Sequence, residues 1–382
     1  MMGHARYIGR VGGLAVALGI GAGLAATPWV ASAEPGNGQG NGQNMSISKD
    51  GEIKVQKGAA TAISDEGSTA KAQGADSFAA ATGGVGNRAT AKGNNSTAIA
   101  GGDPTDPNSE GNDGNHATVH GDGGFAAAAI GDNNTATVHD GGQAVAVLGD
   151  GNTATVSGGG SASATGGADN TAVVHGTGSA TAGGGDGAGN TAIVYGSGSA
   201  AAISGNDNTA IVRGDDNSFA AAQSGDGNTA IVVGDNSIAR ATGEDNTAAT
   251  YGDNSTADAG WDFFSPFEGP ARNTAIVNGD DSTATAAVGN DNTATVTGNN
   301  SDATAHFGNN NNATVDGDGS TASAGGQFVF TPGNNNTAAV DGDGSTATAG
   351  PFNNNTAVVN GDGLAATATG DGTTVIVPPP AP

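Results

Sequence analysis

The 382-residue chain has no cysteine, few aromatic residues (4%), and only 11 Lys and Arg against 37 Asp and Glu. The absence of cysteine excludes disulfides, a thiol nucleophile and a thiolate metal centre. The shortage of positive charge, a formal −26, argues against nucleic acid or anionic lipid as a partner for most of its length. Leu, Ile, Val and Phe are scarce while glycine numbers 70, a composition usual for disorder. Leu, Glu and Lys, the ordinary material of helices, are sparse beyond the first hundred residues.

Only one long apolar run occurs, from Val11 to Ala26. Arg6 and Arg10 precede it, and the small-residue site Ala31-Ser32-Ala33 follows. The run is short for a membrane span, so residues 1–33 read as a signal peptide cleaved before Glu34. The expectation is a secreted chain, extracellular or in the cell envelope, with no transmembrane anchor in its mature form. Losing Arg6 and Arg10 takes the formal charge from −26 to −28. The remainder is uneven. Residues 34–100 carry six basic and six acidic groups, whereas 101–382 carry Arg213, Arg240 and Arg272 against 31 acids.

What the chain does have is a period. Asn-Thr-Ala-x-Val or a close variant starts at Asn134, Asn152, Asn170, Asn190, Asn208 and Asn228, in steps of 18 or 20 residues. A second string, Ser-x-Ala-x-Ala, falls midway, as at Ser237, Ser255 and Ser282. A nine-residue unit used in alternating pairs is the signature of stacked repeats, each burying its apolar side only against its neighbours. Within a unit the residues alternate with period two and end in glycine-rich corners, which describes a short strand and a tight turn. Alternation sends Ala154 and Val156 to one face and Thr153 and Thr155 to the other. The expected fold is an all-β parallel β-solenoid over 58–377, with about 18 residues and two strands per coil. Residues 34–57 are expected to be flexible and 378–382 to be a Pro-rich tail.

Gly93-Asn94-Asn95-Ser96-Thr97-Ala98-Ile99-Ala100 and Gly344-Ser345-Thr346-Ala347-Thr348-Ala349 resemble the β-roll head repeats of trimeric autotransporter adhesins. That resemblance implies adhesion at a surface. The period here is longer, and no stalk or membrane-anchor strand set accompanies it. The unit is also similar to the calcium-binding nonapeptide repeats of RTX proteins. In Gly149-Asp150-Gly151-Asn152-Thr153-Ala154-Thr155-Val156-Ser157, however, Ala154 stands at the calcium aspartate. The leader Tyr7-Ile8-Gly9-Arg10-Val11-Gly12-Gly13-Leu14-Ala15-Val16 resembles those of mycobacterial-type secreted proteins. The regular row Thr135, Thr153, Thr171, Thr191, Thr209 and Thr229 resembles the threonine ladders of ice-binding β-solenoids.

No catalytic constellation emerges: the acids are turn residues, the serines follow the repeat, and Gly183 to Gly187 is a corner with no helix after it to bind phosphate. An enzyme is not expected. His120 and His139 each lie five residues after a repeat asparagine, so a regular stack sets them on adjacent coils, ~5 Å apart, as candidate metal ligands. Asp132, Asp150 and Asp226 are the matching corner acids, where calcium would be held weakly; no other cofactor is implied. Val173, Ile193, Ile211 and Ile231 form an apolar stripe that suggests lateral self-association.

The nine-residue count breaks after Ser96, Ser255 and Ser320, always at the same kind of corner. Two of those insertions carry Trp261, Phe263, Phe264 and Phe267, and Phe328 and Phe330, with Phe352 at the next such corner. Aromatics dominate interface energetics, so this edge is expected to bind a surface protein or glycan.

Overall fold

The computed structural model describes residues 44–102, 112–215, 217–260, 272–326 and 332–380. From Thr61 to Val377, strands of four or five residues alternate between two walls. Each strand is parallel to the one a full turn away and in strict register. Thr135–His139 pairs with Thr153–Ser157, Ala136 on Ala154 and Val138 on Val156. Gln143–Val147 pairs with Ser161–Thr165 in the opposite wall. The molecule is a parallel β-solenoid of about 15 turns, about 19 residues per turn, and ~70 Å long at strand spacing.

The walls differ in what they turn inward. One presents Ala-x-Val, as in Ala192 and Val194, and the other Ala-x-Ala, as in Ala180 and Ala182; all four are buried. We call them the valine wall and the alanine wall. Among the described residues no buried hydrophobic side chain is larger than isoleucine, and the largest that are fully buried are valines such as Val156, Val194 and Val296. The walls are therefore close together, and alanine is the residue that fits. Outward positions hold Thr, Val and Ile, which favour extended backbone. The alternation expected from sequence holds, with Ala154 and Val156 buried and Thr153 and Thr155 half-exposed.

Two corners join the walls. The asparagine corner leads from the alanine wall into the valine wall and ends at Asn134, Asn152, Asn170 and their equivalents, all buried. Each of these side chains accepts, through Oδ1, the backbone N–H of the next asparagine: Asn134 from Asn152 at 2.9 Å, Asn190 from Asn208 at 3.1 Å, Asn208 from Asn228 at 3.0 Å. The ladder runs unbroken from Asn87 to Asn355, which accepts from Thr373. The serine corner has a shorter ladder, in which Ser237 Oγ accepts Ser255 N–H at 3.1 Å. In the coils before it, from Gly124 to Gly198, glycine replaces serine: a Cβ at Gly178 would lie 2.6 Å from Val194 Cγ1. At Gly149, φ is +143° and a Cβ would meet Gly167 O at 1.6 Å, so no side chain fits between these stacked corners.

The N-terminal end corrects one expectation. Residues 45–57, read above as part of a flexible segment, form strands β1 (Met45–Lys49) and β2 (Glu52–Lys57). They pair antiparallel, and β1 also pairs antiparallel with Thr69–Gln73. Ser46 and Ser48 turn inward over the first coil. Ser46 Oγ donates to Gln56 Oε1 at 2.7 Å and accepts Ala62 N–H, while Ser48 Oγ meets Ser64 Oγ at 2.8 Å. The hairpin covers the open end of the stack, and its polar composition comes from that position. At the other end Thr374–Val377 is the last strand, followed by prolines that lack the N–H to extend the wall.

Candidate functional site

Stacking places equivalent residues of successive coils in rows, so each outer surface is a set of ladders. The row at the asparagine corner, just after each alanine-wall strand, is unlike the rest. It reads Ile130, Leu148, Gly166, Gly184, Ser204, Ser224, and further along Val288 and Phe307. All eight have positive φ, including Ile130 at 57°, Leu148 at 62°, Val288 at 52° and Phe307 at 49°. Glycine adopts that conformation freely, whereas bulky and β-branched residues are strained in it. Ile130 is 43% and Leu148 47% exposed, so burial gives nothing in return. Nothing in the sequence period signals this strain, because φ is invisible to a repeat count.

The insertions leave from the same corner. The chain departs at Gly102, Gly260 and Gly326 and rejoins the stack at Asn112, Arg272 and Pro332. Asn112 Oδ1 accepts Gly131 N–H at 2.6 Å, Arg272 N–H donates to Glu244 O, and Gly333 N–H donates to Phe307 O, so each re-entry is locked to a neighbouring coil. Trp261, Phe263, Phe264, Phe267, Phe328 and Phe330 lie outside the described residues, as does the leader. Phe352 is described and is 53% exposed on this edge.

The histidines stand on the outer face of the valine wall. His120 and His139 pair directly across the ladder, with rings stacked 5.5 Å apart and 5° from parallel. The row continues through Ser157, and His175 then stacks on Tyr195 at 5.1 Å with Arg213 over the same ring at 5.3 Å. Burial lowers the His120 pKa, and Lys92 and His139 lower it further. Burial and then Arg88 do the same for His116.

Asp132, Asp150 and Asp226 lie at the asparagine corner, across the width of the wall from the two histidines, ~13 Å or more by strand rise. Their Oδ1 atoms accept backbone N–H groups of the preceding coil: Asp132 from Asp113 at 2.7 Å, Asp150 from Asp132 and Asp226 from Asn206 at 2.8 Å each. The histidine pair and the acids are thus two separate features. Among the described residues no group of three or more His, Cys, Asp or Glu is gathered as for a metal ion. The threonine row runs from Thr135 to Thr293, but the neighbouring row changes from Thr137 and Thr155 to Val173, Ile193, Ile211 and Ile231. The outer face is therefore half hydroxyl and half hydrocarbon over those coils.

The fold defines the class of this protein, a β-solenoid repeat protein. Compared with protein-family models, curated proteins and solved structures, the chain finds no match. Among the described residues no helix is long and apolar enough to cross a membrane.

Proposed function

We propose that this chain is a non-catalytic binding rod of the cell envelope or extracellular space, which engages a surface protein or glycan through its asparagine-corner edge. The observation that carries the reading is the strain at Ile130, Leu148, Val288 and Phe307, where neighbouring coils use glycine or serine. A bulky apolar side chain held at positive φ costs of order 1 kcal/mol or more. Keeping Ile130 and Leu148 there, largely in water, makes sense if something outside the rod contacts them. They share the corner at which the segment holding Trp261, Phe263, Phe264 and Phe267 is attached, between Gly260 and Arg272.

Labelled chain would be titrated onto intact cells and onto surfaces coated with matrix proteins or glycans. Replacing the four loop aromatics with Ser should abolish binding and leave the circular dichroism unchanged. Ile130→Gly with Leu148→Gly should weaken binding while raising the unfolding temperature, since strain is relieved. Binding unchanged in both variants would reject this edge as the contact surface.

A further inference from the structure

Positive charge is rare in this chain, and most of it is in one place. Of the eleven Lys and Arg, six lie between Lys49 and Lys92. The fold lays five of these on a single flat surface, the outer face of the valine wall at its N-terminal end. Lys49 of β1 pairs across to Thr69, whose row continues to Arg88 and His116. Lys71 stands opposite Ile47 of β1 in the middle row, and Lys57 of β2 opposite Met45 in the third. Lys92 follows in that third row and leads to His120 and His139. The outward positions of the strands Thr69–Gln73, Arg88–Lys92, His116–His120 and Thr135–His139 hold no acid at all. Lys71, Arg88 and Lys92 have no ion pair among the described residues, whereas Lys49 lies 3.9 Å from Asp50. Beyond the hairpin, where Glu52 stands across from Lys49, the patch is thus a plane of unmatched cations on strands that repeat at the coil spacing, ~4.8 Å.

The complementary surface is on the same molecule, further along. At the serine corner Asp215, Asp235, Asp253, Asp280, Asp318 and Asp343 stand on successive coils, broken once by Asn299, and Asp362 follows. Each spends one carboxylate oxygen on a backbone N–H of the coil before, as Asp253 does for Asp235 and Asp343 for Asp318, both at 2.8 Å. The side chains are exposed, leaving the second oxygen toward solvent. The carboxylates therefore follow one straight line, and the cations lie on three adjacent rows that share its spacing along the axis.

We propose that the N-terminal cationic face binds the aspartate-lined corner of a second copy of this chain, giving staggered head-to-tail association. The shared period lets several pairs form in register at once, where a flexible polyanion would have to be ordered first. The overlap is confined to the ends because the acidic remainders of two rods repel, and at physiological salt that repulsion is screened beyond ~8 Å. Patch and corner are different surfaces, so the contact is heterologous and builds open chains rather than a closed dimer.

Sedimentation of the full chain at low and high ionic strength tests this. Wild type should form concentration-dependent multimers at low salt and sediment as a monomer in 0.5 M NaCl, about the range where surface pairs are screened. Lys71→Glu/Arg88→Glu/Lys92→Glu should be monomeric, as should Asp318→Lys/Asp343→Lys/Asp362→Lys, each with an unchanged circular dichroism spectrum. Mixed together, the two variants should co-assemble, because each keeps one intact surface and the reversed charges of the other surface complement its partner's. A monomeric wild type at every salt concentration overturns the proposal. So does a mixture that stays monomeric, or a patch that captures heparin while the chain does not self-associate.

Discussion

At the scale of single residues, the asparagine ladder explains how a core of alanines suffices. Burying an alanine contributes little, well under 1.5 kcal/mol each. A corner asparagine such as Asn208, in contrast, makes two bonds to the backbone of the coil that follows. Asn208 Oδ1 accepts Asn228 N–H at 3.0 Å, and its Nδ2 donates to Gly225 O at 2.8 Å. Removing the amide strands a buried N–H and weakens the support of a carbonyl, so Asn208→Ala should lower stability by about 2–4 kcal/mol. A urea titration followed by circular dichroism reads that change. Thr250 is the opposite case. It occupies a valine position between Val232 and Val277, is fully buried, and its hydroxyl has no partner. Valine has the same shape without the stranded polar atom. Thr250→Val should raise stability by about 1 kcal/mol, within the range a buried unpaired hydroxyl costs. A decrease would mean that the hydroxyl is satisfied in solution.

At the scale of strands and corners, the alternation makes two neighbours in sequence behave differently. Val194 is fully buried and Ile193 half-exposed. Val194→Asp places an unpaired acid among stacked alanines and should unfold several coils, seen as lost strand signal. Ile193→Asp should leave that signal intact. A pH effect belongs at this scale too, because His306 is packed against Phe307 beside the third insertion, with ring centroids 4.5 Å apart and its Nδ1 unpartnered. Burial holds its pKa below the ordinary value near 6.5. The unfolded chain then takes up the proton more readily than the folded one. Its contribution to stability is therefore complete above about pH 6.5 and declines as the pH falls from there toward the lowered folded value. Thermal melts between pH 7.5 and 5 should show this decline, and His306→Gln should reduce it.

The strands were legible because Thr-Ala-x-Val carries its own period, and Ala154 and Val156 declare their face by alternation alone. Asn152 was not legible in the same way. Alternation also sends it inward, where an amide conflicts with every hydropathy rule until its backbone partners are known. The β1–β2 hairpin was missed because Met45-Ser46-Ile47-Ser48-Lys49 looks too polar to be held; its serines make sense only once Ser64 and Gln56 are beside them. The corner where insertions gather was readable from spacing, but the strain at Ile130 and Leu148 was not.

For the whole molecule, two ladders at the asparagine corner run in opposite senses. An asparagine accepts from the coil that follows it, while the corner aspartate of each new coil accepts from the coil before, as Asp226 does for Asn206. Adjacent coils thus clasp each other reciprocally, and the clasp closes only when the corners of successive turns are in phase. The chain is consequently editable in whole revolutions but not in halves. Excising residues 209–228 joins Asn208 to Thr229, keeps both ladders in phase, and should yield a rod one turn shorter with nearly unchanged melting. Excising 209–218 instead joins Asn208 to Phe219 and transfers every later strand to the wrong wall, breaking the clasp at each turn beyond. A full repeat can therefore be gained or lost without retuning the rest, so length is the property such a rod can change most freely in descent.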